Sequence, residues 1–547
     1  MVEHQLPKLR VAGSNPVTRF FDGGKALSLI QEISQHYNIS LELAKVLVEK
    51  GVRNLDLAEA TFNPVLENLQ PPSTLPNLIP AVERILKAVG KGESIVIFGH
   101  EDADGITSTA IMVKTLRALG SNPSHYIPSK KNEAYGLTKS AIDYIKEKYN
   151  PTLLITVDSC TSCFEGVEYC KEQALDVIVT DHHEIKETLP DTLVINPKIG
   201  GDSFPYLAGC GVAFKVAWEL LSLKFGWDLS RIRDEMPDLF IFAAIGTLAD
   251  RVPLFCENRI LYEEGKKAFE WYRMNFVKAF EEIRRQNGYS NERPTMEELI
   301  PIISSGKSVN GENSGVHLLL SEDVASAEEL LKPLWEASTN WQLKAQAYLE
   351  KAKSLIKVVR DYIAIDLKDA EPQYIGYVAS QLKDAFNVPV IVMGRREDGI
   401  VVAEVRAPYG FNSLDMLNYL SDLFIDYGGH KPASGFSMYE RDIPELFEQL
   451  ESYFKLHPFE NVELFYDLSY DKVNGNLLEE LNRLGNVGVE IRVLFNSIKI
   501  GELREALRKY TIVDPENLLD LYHGDTRVKA LLITSPNGFK VDKLILA

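Results

Sequence analysis

The stretch Val177–Glu184, VIVTDHHE, runs a β-forming segment straight into an acid and two adjacent histidines. A short β-branched run of this kind reads as a strand buried on both faces of a parallel sheet. Ligands of open α/β sheets collect just beyond the carboxyl ends of such strands. Asp181, His182 and His183 stand at that edge. Taken alone, the triplet reads equally well as a strand end closed by a hydrogen-bonded histidine pair, so the neighbouring segments decide between the two.

The same pattern recurs on either side. Upstream, SIVIFGHEDADG (94–105) is a strand ending in His100, Asp102 and Asp104, and the following residues put Ile106, Ala110, Val113 and Leu116 at helical spacing. Two carboxylates two residues apart can face one point on such a strand-to-helix turn. TLLITVDSC (152–160) ends in Asp158 ahead of the helix-patterned FEGVEYCKEQAL. Downstream come TLVINPK, the glycine-bearing AGCGVAFKVAWELL, and FIFAAIGTLADRVPL, which sets Asp250 behind an apolar segment. Strands alternating with helices imply a parallel sheet with right-handed crossovers and every carboxyl end on one side. These acid and histidine clusters then converge on one edge. Carboxylates and imidazoles without thiolates suit Mn²⁺ or Mg²⁺. Two such ions, about 3.5–4 Å apart and bridged by one acid, activate a water and stabilise the leaving oxygen in phosphoryl transfer.

Composition narrows the field. At 547 residues with 45% hydrophobic side chains, the chain is expected to hold three or four globular domains. No apolar run reaches the roughly 18 residues of a membrane span, and the first residues lack the apolar core of a signal peptide, so no membrane and a cytoplasmic location are expected. Five cysteines, odd in number and sparse, argue against a disulfide framework. Cys160 and Cys163 form a CxxC without a second pair at zinc-site spacing. With 78 acidic against 59 basic residues the net charge is −19, which weighs against non-specific duplex binding and leaves room for a local nucleic-acid track beside an acidic cation site.

HEDADG, TVDSC, TDHH and GTLADRVP stand in the order and at the separations of the four motifs of the DHH phosphoesterase superfamily. The surrounding phrases YGLT near Tyr135, VINPK at Val194, GCGVAFK at Gly209 and YGGHKPASG at Tyr427 resemble its RecJ single-strand exonuclease branch. The resemblance implies Asp102, Asp104, Asp158, His182 and Asp250 as metal ligands, with Asp158 bridging, and His183 as a phosphate contact or support of the metal shell. Two departures stand out. His100 occupies a position where the branch usually carries an acid, and serves as a ligand or behind one. Ser159-Cys160 replaces the usual Asn-Gly.

The fold class expected is α/β: a parallel-sheet DHH domain (76–260) and a second α/β DHHA1 domain (362–458). A helical extension (1–75) precedes them, a long helical connector (261–361) joins them, and a small β-containing module, a reduced OB-like fold, closes the chain (459–547). In the connector Trp335 and Trp341 sit at helical spacing and read as core before base-stacking platforms. SSGKSVNG offers Lys307 as a point-charge phosphate contact. In the DHHA1-like part, Gly428 and Gly429 let the backbone approach a phosphate. The resemblance implies Arg406 and His430 as its grip, with Lys431 and Ser434 nearby.

The function implied is a two-metal exonuclease, with Mn²⁺ or Mg²⁺, acting on single-stranded nucleic acid. DNA is expected over RNA, cut 5′ to 3′, in repair or recombination. The strand is expected to pass between two lobes, and a monomer is expected, with no protein partner named by any motif. A phosphodiesterase of short oligonucleotides or cyclic dinucleotides, and a non-catalytic replication scaffold, are the alternatives. The N-terminal helices and C-terminal module speak against the first, and the full set of acids against the second.

Overall fold

The computed structural model describes residues 23–129, 136–185, 188–200, 203–289, 293–356, 361–396, 398–408, 410–459, 466–470, 475–515, 517–521 and 523–546. Tyr135 and the first 22 residues lie outside them. The described residues form two compact units, 23–338 with 466–546, and 339–459. No helix among them is long and apolar enough to cross a membrane.

The larger unit opens with three helices, α1 (Gly23–Tyr37), α2 (Leu41–Glu49) and α3 (Leu55–Phe62). Asn38 takes a left-handed φ of 49° and Ser40 starts α2, so the break between the first two falls where the polar residues predict it. After α4 (Leu78–Lys91) comes the alternation β1 (Ile95–Phe98), α5 (Ala103–Ala118), β2 (Ser124–Tyr126), α6 (Lys139–Tyr149), β3 (Leu153–Val157), α7 (Phe164–Glu172), β4 (Asp176–Thr180) and β5 (Leu193–Ile195). All four pairings are parallel, in the order β2-β1-β3-β4-β5. β1 and β3 are buried at every position because helices cover both faces, which is why their sequences show no alternation. The order reverses between β1 and β3, and at such a switch point the loops beyond the carboxyl ends diverge and leave a crevice.

Four more helices follow, α8 (Gly209–Phe225), α9 (Leu229–Glu235), α10 (Pro237–Ala249) and α11 (Glu257–Tyr272). The apolar segment ahead of Asp250, grouped by sequence with the strand ends, is the helix α10. Packed among α5, α8 and α11, it is buried from Pro237 through Thr247, so no polar face marks its period. α5 is equally enclosed. Its Thr107, Thr109 and Thr115 hydroxyls each donate to the carbonyl four residues back and are satisfied without water.

The C-terminal residues form a five-stranded open sheet with the pairings of strands 468–470 with 492–499 and 511–513 with 538–546 parallel, flanked by the helices Gly475–Asn486 and Ile500–Leu507. The module is β-containing as expected, but this open mixed sheet covered by amphipathic helices is not the reduced OB-like barrel expected. Its core is continuous with that of α1–α3. Ser40 donates its N–H to Glu480, Arg483 donates to the Tyr37 carbonyl, and a Cβ on Gly488 would meet the Leu254 carbonyl oxygen at 2.1 Å.

The helix Val324–Leu355 begins in the larger unit and ends in the smaller one. Trp335 packs on Phe280 and Tyr289, and Trp341 on Tyr374 and Tyr377. The smaller unit is a mixed five-stranded sheet. Strand 363–366 pairs parallel with 390–395, and strands 401–406, 433–438 and 426–430 extend the sheet antiparallel.

Candidate metal centre

Each side chain of the candidate cluster is set by the element that precedes it. The turn after β1 is tight: a Cβ on Gly105 would lie 2.5 Å from both the carbonyl oxygen and the Cβ of His100. Asp102 caps α5 there, one oxygen accepting the Gly105 N–H at 2.9 Å. Asp104, on the first turn of α5, is buried and accepts the N–H groups of Gly209 (2.7 Å) and Cys210 (2.8 Å) at the start of α8. The positive end of one helix therefore holds the acid of another.

Asp158, directly after β3, adopts a left-handed φ of 54°, a conformation that costs a non-glycine residue roughly 1–2 kcal/mol. Cys160 follows at φ 81°, so the loop keeps the conformation a glycine would take freely, although a cysteine fills the position. After β4, Asp181 accepts the Thr161 N–H at 2.8 Å, the His182 N–H at 2.7 Å and the His183 Nδ1–H at 2.7 Å. Asn196 donates to Thr161 Oγ1 and to the His183 carbonyl, bracing the two loops against each other. Asp250 ends α10 at the helix's negative pole, a place unfavourable for an acid.

These loops meet. His182 Nε2 lies 3.1 Å from Asp158 Oδ1 and 3.7 Å from Asp104 Oδ2, and its Nδ1 lies 3.7 Å from Asp250 Oδ2. His100 Nδ1 is 2.8 Å from Asp102 and 3.9 Å from Asp158. The ligand-type atoms fall into overlapping sets, in which Asp158 is shared by His100 with Asp102 and by Asp181 with the two histidines. His182 is shared again by Asp104 with Asp250. The set fits divalent cations: it is all oxygen and imidazole nitrogen, and Asp158 Oδ1 and His182 Nε2 are buried, adjacent and in no hydrogen bond.

Crowded acids shift one another. Burial, and then Asp104 and Asp102, push the Asp158 carboxyl well above its ordinary range, and the same causes push Asp250 up to about 7. Asp181 moves the other way: burial alone would raise it, but the bonds from His183 and Thr161 outweigh burial and hold it far below. The Asp181 bond raises His183, whereas burial lowers His182. Raised carboxyls keep protons longer in the folded chain, so the metal-free protein loses stability as pH rises from about 4 to about 7. The Asp181 contribution has the opposite sign, but its window lies below that range; His182 and His125, both lowered by burial, oppose the trend within it, and the raised Asp158, Asp250, Asp238 and Glu257 carboxyls outnumber them. The melting temperature of chelator-treated protein is therefore expected to fall between about pH 5 and pH 7. Mn²⁺ should raise it more at the higher pH, as scanning calorimetry would show.

Glycines close the site from behind. A Cβ on Gly209 would lie 2.6 Å from Asp158 Cβ and 2.7 Å from its Oδ1, and one on Gly246 would lie 2.6 Å from Asp104 Oδ1. Gly209→Ala is expected to displace Asp158 and lower kcat by about 10²-fold, the usual result of misplacing a reacting group by an ångström. An unchanged kcat in steady-state kinetics would show that the loop absorbs the methyl.

The other candidates stand elsewhere. Lys307 is an exposed side chain of the larger unit, its N–H bonded to Ser314 Oγ. In the smaller unit Arg406 is paired with Glu404 at 2.7 Å, and Ser434 is buried with its hydroxyl on Ser413 Oγ. Lys431 is exposed, and His430 ends the strand Asp426–His430. Gly429, at φ 132°, is required by its neighbours, since a Cβ would meet Ser434 Cα at 2.5 Å; one on Gly428 would enter open space.

The DHH family, N-terminal domain, matches residues 94–246, and the DHHA1 domain matches residues 353–456. The single-stranded-DNA-specific exonuclease RecJ of Bacillus subtilis is 33% identical over 431 residues, 77% of this chain and 53% of that protein. RecJ of Haemophilus influenzae is 31% identical over 407 residues, 70% of each chain. The chain belongs to the RecJ family. The match spans about half of the Bacillus relative's length. A crystal structure of exonuclease RecJ bound to manganese superposes with a TM-score of 0.61 at 28% identity, covering 72% of this chain and 99% of that one. RecJ of Thermus thermophilus shares the fold, with a TM-score of 0.66 at 23% identity over 95% of this chain and 78% of that one. Sequence reasoning missed the Gly209 and Cys210 amides, Asn196 and Gly246. The glycines of GCG were the one available signal for the first pair.

Proposed function

We propose that this RecJ-family chain is an exonuclease dependent on two Mn²⁺ or Mg²⁺ ions, cleaving single-stranded DNA from its 5′ end. The observation that carries this reading is the convergence of Asp102, Asp104, Asp158, His182 and Asp250 at the switch point, with two buried ligand atoms left unsatisfied. The names of the family relatives and the manganese in the 28%-identical RecJ structure support it. Bound there, the cations would make a water nucleophilic at neutral pH and neutralise charge on the phosphoryl oxygens.

The chain's own residues orient the reaction. Asp158, common to two ligand sets, would hold both cations, with His100 behind it. Asp181 fixes the ring of His183 and raises its affinity for a proton, which suits His183 to donating toward a phosphate. Lys307 in the larger unit, and Arg406, His430 and the Gly428–Gly429 backbone in the smaller, are each assigned a phosphate contact. Arg406 must exchange Glu404 for its ligand.

Gly428 faces open space, so Gly428→Ala tests that approach without disturbing the fold; it is expected, like His430→Ala, to raise KM severalfold at nearly constant kcat. The function itself is tested on strands of about thirty nucleotides, labelled at either end, as DNA and as RNA, with Mn²⁺, Mg²⁺ or EDTA. Metal-dependent loss of the 5′ label from DNA is expected. Shortening from the 3′ end would reverse the polarity, and hydrolysis of dinucleotides alone would replace the substrate.

A further inference from the structure

A second group of ligand-type side chains lies off the β2 edge of the parallel sheet. His125 is a buried residue of β2, Glu312 belongs to the short strand Glu312–Asn313, and His317 lies on the helix Ser314–Leu319. The Tyr149 hydroxyl donates to Glu312 Oε1 at 2.9 Å, and Lys148 Nζ stands 3.6 Å from the same oxygen. That leaves Oε2 to face His125 Nε2 at 3.4 Å and His317 Nε2 at 3.2 Å, with the two rings 5.2 Å apart. Tyr149 ends the helix before β3, and Ser94, just ahead of β1, donates to its carbonyl. The group therefore reaches toward the amino ends of the strands, away from the carboxyl-end loops that carry Asp102 and Asp158.

The spacing is that of ligands around one ion. Donors 2.0–2.1 Å from a tetrahedral zinc ion lie about 3.3 Å from one another. The tautomer agrees, because the Asn313 N–H donates to His125 Nε2 at 3.3 Å and so marks that nitrogen as an acceptor. An acceptor nitrogen then faces a carboxylate oxygen, an arrangement that a cation between them would satisfy.

We propose that His125, Glu312 and His317 bind a transition-metal dication of the zinc class at a non-catalytic site. The ion replaces the Asn313 N–H at Nε2, and water fills the fourth position on the side where Glu312 and His317 are solvent-exposed. Tyr149 and Lys148 orient the carboxylate from behind. The ion ties the sheet's edge strand to the strand pair 308–313 and hence to the loop of Lys307.

The test uses the full chain, stripped with chelator, exposed to Zn²⁺ in excess Mn²⁺, desalted and assayed for metal by mass spectrometry. Wild type and Asp158→Asn are expected to retain one zinc that His317→Ala and Glu312→Gln lose. Zn²⁺ should raise the melting temperature of wild type and not of His317→Ala. His317 is half exposed, so its variant keeps the fold, and its Mn²⁺-dependent rate without zinc should equal that of wild type. Equal zinc content in wild type and His317→Ala, or a zinc lost from Asp158→Asn instead, would overturn the proposal. Zinc content is read without reference to nuclease activity, so failure here and failure of the exonuclease reading are separate results.

Discussion

Asp158→Asn is expected to lower the rate of strand shortening by about 10³-fold or more while raising the melting temperature of the metal-free chain. Both effects follow from one position. Asp158 is 2% exposed, its carboxyl is repelled by Asp104 and Asp102, and its backbone holds a left-handed φ. Replacing the carboxyl with an amide of the same shape removes the cost of ionising an acid that is buried and crowded by Asp104 and Asp102. On the proposed two-cation reading, the same replacement would take away a ligand common to both cations, which would supply several kcal/mol of transition-state stabilisation. Asparagine also tolerates the left-handed region well, so the loop itself should persist. Single-turnover kinetics with saturating Mn²⁺ and a thermal melt in EDTA read the two effects separately. A retained rate would sink the two-metal assignment, and a lowered melt would show that Asp158 serves the fold as well.

The largest stability effect is expected at Glu257. Glu257 and Lys215 are both fully buried and 2.5 Å apart, and Lys215 also donates to the Gln70 carbonyl at 2.9 Å. Burial pushes the Glu257 carboxyl up, and Lys215 offsets the push. Glu257→Ala leaves an ammonium enclosed by apolar groups, at a cost of about 3–5 kcal/mol. The double variant Lys215→Met, Glu257→Leu removes both charges and should recover most of that loss, apart from the hydrogen bond to Gln70. Because Lys215 sits on α8, whose first amides hold Asp104, the single variant is expected to lose cation affinity before it unfolds. Denaturant melts of the three variants check the order. A single variant as stable as the double would mean that water reaches the ammonium.

The parallel sheet was legible because β1, β3 and β4 are short β-branched runs, each ending in a polar cluster, and that coincidence is rare outside the switch point of an α/β sheet. The segment before Asp250 was not legible as a helix. Buried through eleven consecutive positions, it has no polar stripe, and periodicity cannot separate it from a strand. The backbone donors on Asp104 are invisible for a different reason: an amide N–H has no residue type. Residues from distant parts of the chain, such as Glu480 on Ser40 or His125 beside Glu312, carry no local pattern at all. The C-terminal strands were visible one by one, but their open, helix-covered arrangement depends on packing against α1–α3, which no local signal encodes.

Anomalous scattering from crystals soaked in Mn²⁺ addresses the two-cation centre most directly. Two peaks about 3.5–4 Å apart, with Asp158 touching both, are expected beyond the carboxyl ends of β1 and β3. A single peak, or two that share no ligand, would contradict the two-metal reading of the switch point.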